Sequence, residues 1–88
     1  MASYTIEFKQ SAERDVRRIP PASVGNMLAK IEALAENPFP RGSVKLSGAE
    51  ATYRLRVGPY RVVYEIHSEA RAVVIQHVRH RREAYRRP

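Results

Sequence analysis

The stretch Tyr53-Arg54-Leu55-Arg56-Val57-Gly58-Pro59-Tyr60-Arg61-Val62-Val63-Tyr64 carries three arginines at a spacing suited to binding phosphate. Alternation along a strand puts Tyr53, Leu55 and Val57 on one side, with Arg54 and Arg56 on the other. If Gly58-Pro59 is a two-residue turn with glycine first, Arg56 faces Arg61 directly across the ladder. Like charges placed that way repel. An anion held between them turns repulsion into binding, and the planar guanidinium fork contacts phosphate oxygens in pairs. For any single arginine, a solvated strand face with edge-protecting charge is the plainer reading. Three on one face point to an anion site.

The end of the chain adds Arg79, His80, Arg81, Arg82, Tyr85, Arg86 and Arg87. In a helical turn Arg81 and Tyr85 are i and i+4 and share a face. A tyrosine among arginines can stack on an unpaired base while the cations hold the backbone. The other reading of this segment is a frayed, solubilising terminus. His80 could act as an acid or base. His77 falls by alternation on the side of Val73 and Ile75, which predicts a packing role, and His67 falls at a turn. Glu83 balances nearby arginines and Glu65 could pair with one of the hairpin, but no paired acid–base carboxylates are visible. No metal-ligand spacing, phosphate-binding glycine loop or nucleophile elbow occurs, so chemistry here would work through cations with no cofactor.

The elements that must position these groups come from a chain of 88 residues, which predicts one domain over 1–88. A chain this short buries only about 60% of its unfolded surface. It has no cysteine, excluding disulfides, thiolate metal sites and a cysteine nucleophile. No apolar run can span a bilayer, and the N-terminus lacks the apolar core of a signal peptide, so a cytoplasmic protein without a membrane partner is expected. The net charge of +7 is unevenly spread. Residues 1–44 carry six Lys/Arg against five Asp/Glu, whereas residues 45–88 carry ten against four. The excess lies in the half that holds the hairpin, which implies a polyanionic partner.

Tyr4, Ile6 and Phe8 alternate with polar residues and predict an opening strand. Ser11 is placed to cap a short helix with Ala12, Val16 and Ile19 on its apolar side. Pro20-Pro21 ends it, with Pro21 in the first turn of a second helix. That helix runs through Val24, Met27, Leu28, Ile31, Leu34 and Ala35 and stops at Asn37-Pro38. Residues 39–51 read as a loop. The hairpin follows, and then a strand whose Ala72-Val73-Val74-Ile75 run is apolar on both faces, predicting a central position. The order β-α-α-β-β-β gives an α+β fold: two N-terminal helices on one face of a small, mostly antiparallel four-stranded sheet, with a basic tail or short helix at the end.

Taken together, these residues resemble the RelE/ParE superfamily of bacterial type II toxin–antitoxin toxins, and its RelE-like branch in particular. The resemblance covers essentially the whole chain. It rests on the opening strand followed by Ser11-Ala12-Glu13-Arg14-Asp15, on Lys45-Leu46-Ser47-Gly48, and on Tyr53-Arg54-Leu55-Arg56. Tyr60-Arg61-Val62-Val63-Tyr64 and the ending His80-Arg81-Arg82-Glu83-Ala84-Tyr85 complete it. It implies a ribosome-dependent endoribonuclease that cuts mRNA in the A site by 2′-hydroxyl attack, leaving a cyclic phosphate and a free 5′-hydroxyl. Arg54 and Arg56 match basic strand residues, Arg61 a residue that stabilises the phosphorane-like charge, Arg81 a general acid and Tyr85 a stacking tyrosine. Lys45, Arg79, His80, Arg82 and Arg86 fall among the RNA-binding positions. The implied partners are the ribosome, mRNA and an acidic RelB-like antitoxin, with operator DNA reached only through the toxin–antitoxin complex. The alternative within the superfamily is a ParE-like inhibitor of DNA gyrase without ribonuclease activity.

Overall fold

The apolar run at Ala72–Ile75 lies on an interior strand of the sheet, with a neighbour on each side. A computed structural model describes residues 3–46 and 51–82, and among them the strands form one sheet in the order β1-β5-β4-β3-β2. The strands are β1 (Thr5–Phe8), β2 (Val44–Lys45), β3 (Thr52–Val57), β4 (Tyr60–His67) and β5 (Ala72–His80). The helices are α1 (Gln10–Arg17) and α2 (Pro21–Glu32), with a 3₁₀ turn at Ala33–Ala35. β1 pairs with β5 in parallel and every other pairing is antiparallel. Because β5 has a neighbour on each side, it needs apolar residues along its length.

One face of the sheet supplies Leu55, Val57, Val62, Tyr64, Ile66, Val73, Ile75 and Val78 to the core. The helical layer supplies Ala12, Ile19, Met27, Ile31 and Leu34. This is the expected α+β layering, with one difference. The sheet has five strands rather than four, because Val44 and Lys45 pair with the free edge of β3. Two exposed residues inside a Pro- and Gly-rich segment carry no alternation to read, so only the pairing reveals this strand.

Two helix boundaries also differ from expectation. The N-cap of α1 is Lys9, not Ser11, and α2 tightens into the 3₁₀ turn after Glu32. Ser11 is free for another task because its hydroxyl donates to the Gln76 carbonyl at 2.7 Å. One turn later, Asp15 Oδ2 accepts from the Val78 backbone N–H at 2.9 Å. β1 pairs only as far as Ile75, so beyond it the outer edge of β5 has no strand neighbour. The i, i+4 pair Ser11/Asp15 covers that edge with side chains in place of a strand. Among the described residues no helix is long and apolar enough to cross a membrane.

Candidate nucleic-acid interface

The register of the hairpin assembles the site. Arg56 stands opposite Arg61 and Val57 opposite Tyr60, so Gly58-Pro59 closes a two-residue turn. Gly58 has φ +58, the left-handed value that its position in the turn requires and that proline cannot supply. On β5 the partner of Arg61 is Arg79. Three arginines therefore form a row across three neighbouring strands, on the sheet face away from the helices. Arg54 belongs to the next row, opposite Val63.

The chain's last described residues close one end of this row. The Arg81 backbone N–H donates to the Pro59 carbonyl at 2.7 Å, tying the end of β5 to the hairpin turn. Arg81 and Arg82 enter a helical turn there. A cleft of about 270 Å³ results, lined by Arg56, Gly58, Pro59, Tyr60, Arg61, Arg81 and Arg82. Four guanidinium groups and a tyrosine around one concavity can hold a phosphodiester and meet negative charge that develops on it. Arg79 stands beside the cleft, its Nε 3.6 Å from Asp15 Oδ2.

Four expected site residues lie elsewhere or are not described. Lys45 pairs with Tyr53 and so shares the helix-side face, beside the end of β3 remote from the hairpin turn and the cleft. Tyr85 and Arg86 lie outside the described residues.

The two histidines of β5 exchange their expected positions. Val63 pairs with His77 and Tyr64 with Ile75, so Gln76 is an extra residue, a β-bulge. Beyond the bulge the alternation is inverted: Val78 is 3% exposed in the core, which turns His77 and Arg79 to the arginine face. His80 goes to the helix side, opposite Tyr60, with the two rings edge to face at 5.3 Å. Its Nδ1 accepts the Arg82 backbone N–H at 3.2 Å, so it holds the helical turn instead of facing the cleft. Burial and then the Arg79 charge push the His77 pKa below its ordinary value, with Asp15 pulling weakly the other way. Sequence alternation missed His77 because a bulge in the middle of a strand leaves no glycine or proline as a signal.

At the opposite end of the sheet Tyr64 is fully buried and its hydroxyl donates to the Pro38 carbonyl at 3.0 Å. Burial raises its pKa. Tyr53 stacks on it at 6.0 Å, and Phe39 meets Tyr53 edge-on at 5.3 Å. This aromatic series anchors the 37–45 segment and is remote from the cleft.

Residues 6–85 match the family described as ParE toxin of the type II toxin–antitoxin system. The chain belongs to the RelE/ParE superfamily of type II toxins. Toxin RelG of Mycobacterium tuberculosis is 33% identical over 85 residues, covering 96% of this chain and 98% of that one. The toxin–antitoxin complex RelBE2 of Mycobacterium tuberculosis superimposes with a TM-score of 0.78 at 32% identity, covering 89% of this chain and 98% of that chain. The archaeal RelE–RelB complex of Pyrococcus horikoshii gives a TM-score of 0.80 at 26% identity, covering 92% and 97%. The RelE/ParE assignment and the α+β architecture thus agree with what the residue pattern implies.

Proposed function

We propose that this toxin is a ribosome-dependent endoribonuclease that cuts mRNA in the A site and so arrests translation. The observation that carries this reading is the cleft in which Arg56, Arg61, Arg81 and Arg82 converge beside Tyr60. Four cations on one concavity suit an RNA linkage: they bind the phosphodiester and align the 2′-hydroxyl with phosphorus. As the 2′-oxygen attacks, the non-bridging oxygens gain charge, and fixed guanidinium groups stabilise it without reorganising. In the order of attack, Arg61 and Arg56 would hold the phosphate, while Arg81 would assist the departing 5′-oxygen and Tyr85 would stack on a base. The surrounding arginines, Arg54, Arg79, Arg82 and Arg86, would dock on RNA phosphates. An acidic, RelB-like antitoxin would be the matching neutralising partner, and similar toxins are found in RelE–RelB complexes.

The test is a translation extract programmed with a defined message, with cleavage positions mapped on stalled ribosomes. Wild-type protein should cut within the A-site codon, and Arg61→Ala should slow cleavage by about 100-fold to 1000-fold. Message left intact by folded, ribosome-bound protein would refute the proposal. The family description favours one second reading, a ParE-like gyrase inhibitor. That reading expects loss of DNA supercoiling with mRNA untouched.

A further inference from the structure

A cleft furnished with arginines can stabilise charge, but none of its described lining residues is an obvious acceptor for the 2′-proton. A guanidinium has no acceptor lone pair and stays protonated at any working pH. Of the three histidines, His67 sits at the far end of β4 against Glu65, 3.0 Å away. His80 lies on the helix side with Nδ1 already accepting from Arg82. His67 shares the arginine face but lies six residues along β4 from Arg61, so His77 is the histidine on that face beside the arginine row. We propose that His77 is the general base of this site, taking the 2′-hydroxyl proton from the ribose next to the bound phosphate. This assignment rests on the ribonuclease reading above and deepens it.

The placement follows from the bulge. His77 stands opposite Val63, two residues from Arg61 on β4, so His77 and Arg61 are diagonal neighbours on one face. Such pairs lie ~7–8 Å apart, close enough for long side chains to meet a common ligand. A phosphate held by Arg61 and Arg56 would place the adjoining ribose along the sheet, over β5. The bulge is itself clamped: Ser11 holds the Gln76 carbonyl and Asp15 holds the Val78 N–H, the backbone groups on either side of His77. It also carries a local cost, because the buried Gln76 Nε2 has no hydrogen-bond partner. A bulge that is pinned from outside and re-aims a side chain beside a cleft fits a functional position.

The electrostatics agree. On the face of His77 are Arg79 on its own strand, Arg61 and Glu65 on β4 two residues to either side of Val63, and Arg54 in the same row on β3, with Asp15 reaching over from α1. Partial burial and then the Arg79 charge hold the His77 pKa below its ordinary value against the opposing pull of Asp15, so the imidazole is neutral and able to accept at neutral pH. In the reaction the 2′-proton moves to the imidazole, the 2′-oxygen–phosphorus bond forms, and the phosphorus–5′-oxygen bond breaks. The 5′-oxygen takes a proton from water, and the imidazolium returns one to solvent. Thus the step consumes no net proton.

Single-turnover cleavage on programmed ribosomes tests this. His77→Ala and His77→Gln should lower the rate by about 100-fold to 10,000-fold while ribosome binding and the thermal melt stay near wild type. Added imidazole should restore part of the His77→Ala rate, a rescue that a packing role would not give. Wild-type rates should level off by about pH 7, where a histidine base is already deprotonated. The assignment is overturned if folded His77→Ala cuts within about threefold of wild type. Loss without imidazole rescue, or a wild-type rate still climbing tenfold per unit above about pH 8, overturns it equally. Wild-type protein that leaves the message intact removes the ribonuclease reading and this assignment together.

Discussion

Replacing Arg56 with threonine should make the fold more stable while disabling the cleft. Arg56 is exposed and directly opposite Arg61, which in turn faces Arg79. Two guanidinium charges ~5 Å apart in a water-like dielectric of ~80 repel by about 0.8 kcal/mol, and splaying to ~10 Å halves that. This agrees with the ~0.2–1 kcal/mol assigned to cross-strand pairs. Threonine also has the higher strand preference. For a chain of this size, a gain of ~0.2–1 kcal/mol raises Tm by about 1–8 °C. The assay is thermal unfolding of both proteins at low and high salt. At about 1 M salt the screening length falls to ~3 Å, so the advantage of Arg56→Thr should shrink to the propensity term. Inorganic phosphate should raise the wild-type Tm more than that of the variant, because the anion binds between the paired cations. A variant less stable than wild type at low salt, or a difference indifferent to salt, would refute the repulsion argument and with it the case for an anion in this row.

Three further outcomes follow from the same contacts. Asp15→Ala leaves the partly buried Val78 N–H without its acceptor, which should cost about 1–3 kcal/mol, and Val78 amide exchange should accelerate, whereas Asp15→Asn should retain much of the bond. Gly58→Ala puts a side chain on a backbone at φ +58 and should lower stability by about 1–2 kcal/mol in denaturant titration, although the space around it is open. His77 has a folded pKa below its ordinary 6.5, so the unfolded chain binds the proton more tightly. Its contribution is fully present above 6.5 and is lost as pH falls through that value towards the folded pKa; His77→Gln should flatten the stability profile in that window.

The arginine face was legible before any coordinates, because a strand's period of two and a Gly-Pro turn fix which residues oppose each other. Arg56 opposite Arg61 needs nothing more than that. The two proline-delimited helices and the interior position of Ala72–Ile75 are local matters of the same kind: periodicity, ring geometry and apolarity. Three features needed the tertiary structure. β2 exists only because β3 has an edge to offer two residues that carry no pattern of their own. The seat of Arg81 depends on its N–H meeting the Pro59 carbonyl, a contact between segments far apart in the chain. The exchange of His77 for His80 depends on one extra residue in β5, held out of register by Ser11 and Asp15 from a helix more than sixty residues earlier. An alternating pattern gives side chains only relative to their neighbours. Which face each one ends on is set wherever packing inserts a bulge, and here the packing of α1 on an uncovered strand edge made that choice.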